Sequence, residues 1–167
     1  MSSILKVNWD SNLPIYAISQ SELQQKEIHS ILLDVDGTLV NRKSNMIPKA
    51  VKNWIRESKK LFSLYLISNN PSKKRIANIA KELNLTYKYN ASKPRKKVTL
   101  SAIKEIGGEP KNIAIIGDRI FTDIIVGNRC NIKTILVKRL KRDGLPIKFN
   151  LTLTIEKLIC FLLKENV

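Results

Sequence analysis

Ile31-Leu32-Leu33-Asp34-Val35-Asp36-Gly37-Thr38 is the stretch on which the reading of this chain turns. An uninterrupted apolar run leads straight into two carboxylates at i and i+2, then a glycine and a hydroxyl. A short run with no polar alternation is the pattern of a strand buried on both faces, as in a parallel sheet covered by helices. In open sheets of that kind, ligands sit beyond the carboxyl ends of the strands, so polar residues that end apolar strands mark where to search. On an extended segment Asp34 and Asp36 share a side-chain direction, which is costly unless a cation or a proton lies between them. Magnesium, hard and oxygen-seeking, is the natural cation.

Working outward, strand and helix patterns alternate. Residues 1–28 form a weakly periodic leader, with a turn at Pro14 and a Ser19-Gln20-Ser21-Glu22 sequence suited to cap a short helix. Beyond the first strand, Pro48 opens a helix over Lys49–Lys59, Leu61–Ile67 reads as a strand, and a helix runs from Pro71 to about Leu83. Leu85–Tyr89 is a short strand, and Pro94 opens a helix that stops at Gly107-Gly108. Asn112–Ile116 is a strand, Asp123–Cys130 a short helix, and Ile132–Val137 the last strand. The pattern predicts a doubly wound α/β fold with a parallel sheet of about five strands flanked by helices. Segment 138–150 is basic and broken by Gly144 and Pro146, and Leu153–Leu163 reads as a closing helix, apolar on most faces and expected to pack on the core, with a membrane or partner surface as the alternative. The expected divisions are a leader (1–28), a catalytic core (29–140), and a basic loop with its C-terminal helix (141–167).

Three further strand endings carry polar groups. Ser68-Asn69-Asn70 offers a hydroxyl, amides and N–H groups near a helix start, a favourable place for a phosphate. Lys93 stands beside Pro94, and Gly117-Asp118 is followed by Thr122-Asp123. Singly, each is ordinary loop and capping chemistry. In this order, each at a strand end, they compose one site.

Composition narrows the partners. With 167 residues, 43% of them hydrophobic, the chain suits one core with little left over. Thirty Lys and Arg against 14 Asp and Glu, a net charge of +16, call for an anionic partner, nucleic acid or acidic membrane. Two distant cysteines and a single histidine suggest neither a zinc site nor a disulfide framework. No apolar run approaches the roughly 20 residues that span a bilayer, and the first residues lack a signal-peptide pattern.

The Asp34–Thr38 motif, Ser68, Lys93 and Gly117–Asp123 resemble, in order, the four motifs of phosphatases of the haloacid dehalogenase (HAD) superfamily. The resemblance covers residues 29–137 and is closest to subclass IIIA and its YqeG-type branch, which includes phosphatidylglycerophosphate phosphatases of mitochondria and plastids. Leu13-Pro14, Asp34 to Val40, Ser68-Asn69-Asn70, Lys93-Pro94, Gly127-Asn128-Arg129 and Thr134 to Val137 carry it. The branch usually has Asn where Gly37 stands and Gln where Arg119 stands. The resemblance implies a Rossmann-like core and a two-step phosphoryl transfer. Asp34 would be the nucleophile, Asp36 the acid and base, and Lys93 the catalytic cation. Mg²⁺ would be held by Asp34, Asp36 and Asp118, with Asp123 orienting either metal-bound water or Lys93; Thr38, Ser68 and Asn69 would bind the phosphate. It also implies loss of the terminal phosphate from phosphatidylglycerophosphate, in a cytoplasmic, plastid or other organelle interior with membrane association. Only 29 residues separate Thr38 from Ser68 and 24 separate Ser68 from Lys93, so no cap domain is expected and the site stays open to a large substrate. The same residues would serve a phosphatase of nucleic-acid ends, phosphoproteins or sugar phosphates, with Arg42-Lys43, Lys73-Lys74-Arg75 and Arg95-Lys96-Lys97 tracking phosphates. A non-catalytic phosphate-binding module would keep the fold and lose turnover.

Overall fold

The computed structural model describes residues 4–165. Six parallel strands form one sheet: β1 (Trp9–Asp10), β2 (Ser30–Leu33), β3 (Ser63–Ile67), β4 (Thr86–Lys88), β5 (Ile113–Gly117) and β6 (Lys133–Leu136), in spatial order β1-β6-β5-β2-β3-β4. The helices are α1 (Gln20–Gln25), α2 (Lys49–Ser58), α3 (Lys73–Leu83), α4 (Lys96–Ile106), α5 (Ile125–Arg129) and α6 (Leu151–Glu165).

The strand alternation sorts the core onto two faces. Ile31, Leu33, Leu64 and Leu66 meet Val51, Trp54 and Ile55 of α2 and Ile76 and Ile79 of α3. Leu32, Tyr65, Ile67 and Ile115 point the other way, onto Ala102 of α4 and Val126 of α5. Burial on both faces is what the apolar runs require. Trp54 also donates from Nε1 to the Ile18 carbonyl (2.8 Å), which ties α2 to the chain ahead of α1.

The strands start and stop in step: Leu33 is level with Leu66 on one side and with Ile116 on the other. The chain leaves β2 for β3 on one side, while β5 lies on the other. The crevice at this switch point therefore opens between Asp34, Ser68 and Asp118.

Several details differ from the sequence pattern. The sixth strand, β1, comes from the leader and pairs with β6 through only two residues, too few for alternation to register. The helix expected from Pro94 begins at Lys96, with Arg95 as its N-cap and a cis Lys93–Pro94 bond just before it. The helix expected over Asp123–Cys130 is split into a π-turn at Ile120–Ile124 and then α5. Between Thr38 and Ser68 the regular elements are α2 and β3, and between Ser68 and Lys93 they are α3 and β4. Helix α6 rests on the π-turn through Leu153, Cys160 and the buried Glu156, and Leu151, Ile155, Leu158 and Phe161 face outward.

Candidate active site

Lys93 stands at the centre of the crevice floor. Its ammonium, 1% exposed, donates to Asp34 Oδ1 (2.7 Å), Asp123 Oδ1 (2.6 Å) and the Ile67 carbonyl (3.0 Å), which uses all three of its protons. Burial pulls the Lys93 pKa down, but Asp123 and Asp34 outweigh it and hold the group above its ordinary range. Asp123 is in contact with Lys93, one of the two partners open to it.

Asp34 lines the crevice with its second oxygen, Oδ2, accepting from Thr38 Oγ1 (3.1 Å). Burial pushes the Asp34 carboxyl up to about 7; Lys93 opposes this, and the Asp123 and Asp118 charges add to it. Asp118 is raised to about 6, first by burial and then by Asp123, against the pull of Arg139, which donates from Nε to Asp118 Oδ2. Asp34, Asp118 and Asp123 each bring an oxygen within 4.8 Å of the others, and all three are buried. An all-oxygen donor set whose negative charge is only partly balanced fits a hard divalent cation.

Asp36 is placed otherwise than its i, i+2 spacing suggests. Strand β2 ends at Leu33, before either carboxylate. Instead Asn70 Nδ2 donates to Asp36 Oδ2 and Arg75 donates to Asp36 Oδ1, each at 2.7 Å. Each carboxylate thus has its own cation, and the Asp36 side chain lies outside the three-carboxylate cluster.

Ser68 lines the crevice, with its hydroxyl accepting from Asn70 N (3.1 Å). Asn69 spends its amide on the Lys93 backbone: Oδ1 accepts from Lys93 N (2.7 Å) and Nδ2 donates to Lys93 O (2.9 Å). Thr38 is fully buried behind Asp34. Two close approaches need glycine. At Gly37, where φ is +103°, a Cβ would lie 2.6 Å from Asp118 Oδ2, and at Gly117 it would overlap the Asp123 carboxylate.

The sequence pattern did not show that Arg75 pairs with Asp36 or Arg139 with Asp118, nor that Glu156 supports the site. Arg75 sits in a run of three basic residues that offers phosphate contacts without singling out one of them, and Arg139 in a segment with no regular pattern. Glu156 accepts from Ile120 N (2.8 Å) and from Arg119 Nε and Nη2 (both 3.1 Å). That braces the loop between Asp118 and Asp123 from outside; a lone glutamate in an apolar helix was its only signal. The crevice is about 330 Å³, with Arg42, Lys43, Arg119 and Arg139 among its walls.

Known proteins resemble this chain in sequence and in fold. YqeG of Bacillus subtilis strain 168, described as a probable phosphatase, is 29% identical over 138 residues, 81% of this chain and 80% of its own length. A crystal structure of an uncharacterized protein from Listeria monocytogenes serotype 4b superposes with a TM-score of 0.56 at 16% identity, covering 82% of this chain and 99% of that one. The putative HAD-hydrolase YfnB from Bacillus subtilis, solved bound to magnesium, superposes at 0.54 with 12% identity, over 72% and 90% of the two chains. At such identities the two structures speak for the fold alone. Residues 2–140 match the family described as mitochondrial PGP phosphatase, and the chain belongs to that family, an HAD-type phosphatase.

Proposed function

We propose that this chain is a Mg²⁺-dependent phosphomonoester hydrolase that works through a phosphoryl-aspartate on Asp34. We further propose that its substrate is phosphatidylglycerophosphate, dephosphorylated to phosphatidylglycerol at a membrane surface. One observation carries the catalytic reading: Lys93 is locked between Asp34 and Asp123 beside Asp118, on the buried floor of an open, basic crevice. The family's description supports the lipid.

Asp34, Asp118 and Asp123 are the carboxylates gathered closely enough to hold Mg²⁺ among the described residues. When bound, the ion neutralises charge between the nucleophilic carboxylate and the phosphate. An Asp34 oxygen attacks phosphorus in line, forming the O–P bond of an acyl phosphate as the bond to the glycerol oxygen breaks. Asp36 leaves Asn70 and Arg75 to give that oxygen its proton. It then takes a proton from the water that attacks the acyl phosphate, which releases inorganic phosphate and restores Asp34. Lys93 holds Asp34 in place and offsets charge on the transferring group. Ser68 meets the phosphate oxygens, while Asn69 and Thr38 position Lys93 and Asp34.

Phosphate release with and without Mg²⁺ tests the reading. The substrates are phosphatidylglycerophosphate in mixed micelles, a 3′-phosphorylated oligonucleotide, a phosphopeptide and sugar phosphates, with Asp34→Asn as the blank. Mg²⁺-dependent preference for the lipid is expected. Activity on another substrate alone removes the lipid and leaves the mechanism; silence on all of them leaves a binding module.

A further inference from the structure

Helix α6 is built inside out. Its buried residue is an acid, Glu156 at 2% exposure, whereas Leu151 (62%), Ile155 (48%), Leu158 (56%) and Phe161 (57%) form an exposed stripe at helical spacing. Phe149, just ahead of the helix, is 68% exposed. A contiguous apolar face of this kind marks an interaction surface. Its footing is polar: Glu156 receives the Ile120 N–H and the Arg119 guanidinium, and Lys157 pairs with Asp10 at 2.7 Å. Those bonds hold the helix with the stripe outward.

We propose that this stripe docks on an anionic lipid bilayer, lying in the interface beside the catalytic crevice. Charge selects the occupant. Segment 138–148, which leads from the crevice to α6, carries Lys138, Arg139, Lys141, Arg142 and Lys148 against Asp143 alone. A second copy of a chain with net charge +16 would bring like charge to this face, whereas an anionic surface satisfies the stripe and its basic border together. Position fits as well: Arg139 and Ile147 line both the catalytic crevice and the neighbouring groove, which Lys148, Phe149 and Lys157 also border. A head group could thus reach Asp34 while its acyl chains stay in the bilayer. Among the described residues no helix is long and apolar enough to cross a membrane, so α6 lies on the surface rather than spanning it.

The proposal draws its purpose from the lipid-substrate reading, but its binding is tested without that substrate. The full chain and an Ile155→Glu/Leu158→Glu variant are floated with phosphatidylcholine vesicles, with and without about one-third phosphatidylglycerol. The wild type is expected to partition at least ~10-fold more strongly onto the anionic vesicles, and the variant to lose at least ~10-fold of that binding. An Ile155→Ser/Leu158→Ser pair gives a milder change, and unchanged melting temperatures report intact folds. Equal binding by wild type and folded variants, or no binding by the wild type, overturns the proposal. So does a wild-type dimer that the variants dissolve. Stripe-dependent vesicle binding without phosphatidylglycerophosphate turnover keeps the docking face and removes the lipid substrate.

Discussion

Lys93 decides the state of the site because it is the buried cation touching two of its three clustered carboxylates. Lys93→Met should destabilise the fold by about 3–5 kcal/mol, since it strands charge that burial penalises, and should abolish turnover; chemical denaturation and steady-state kinetics check both. Asp34 gives a pH signature. Its carboxyl is raised from 3.8 to about 7, so the metal-free fold holds a proton that the unfolded chain releases near 3.8. This stability contribution is complete below the lower value and is lost as pH climbs to about 7. Melting temperatures of metal-free protein should fall over that window, and Asp34→Asn should flatten the slope. Asp34, Ser68 and Asp118 were legible because each directly follows an apolar strand, and Lys93 because it stands beside Pro94 ahead of a helix. Arg75 and Arg139 were not, since a cation that reaches inward from a helix start or a loop looks in sequence like any other surface cation.

The element that carries most of the constraint is β5 with its π-turn. Arg119 N donates to Asp123 Oδ2 (3.3 Å), and Gly117 lies against the same carboxylate, so the turn is shaped to bring Asp123 back onto Lys93. Gly117→Ala should leave a folded protein, by circular dichroism, whose kcat/KM is down about 100-fold, the scale of an ångström-sized misplacement of a catalytic group. Strands β2, β3 and β5 and helices α2, α3 and α4 were readable because their apolar periodicity is long enough to count. A two-residue edge strand and a π-turn fall below that length: β1 is defined by its pairing with β6, and the π-turn by hydrogen bonds that sequence does not encode locally. Which way α6 turns its apolar residues was undecided in the sequence for a different reason. Its hydropathy is that of a core helix, and its orientation is set by Glu156 and Arg119, which lie 37 residues apart.

At the scale of the whole molecule, a parallel sheet gathers its reactive residues at the carboxyl ends of its inner strands, and the chain is strongly cationic. Turnover of phosphatidylglycerophosphate in micelles should weaken as salt is raised from low ionic strength to beyond physiological, with KM rising more than kcat falls, because screening acts on encounter. An open crevice with basic walls and a buried acidic floor suits a phosphate presented from a large assembly. Where the phosphoryl group goes during turnover separates a phosphoryl-aspartate route from direct hydrolysis. The direct measurement is to quench the enzyme with acid during turnover of phosphatidylglycerophosphate with Mg²⁺, reduce with borohydride, and map the product by mass spectrometry. A phosphoryl-aspartate predicts reduction at position 34 alone, dependent on both substrate and Mg²⁺, and absent in Asp34→Asn. Full turnover with Asp34 never modified, or hydrolysis surviving in Asp34→Asn, would contradict it.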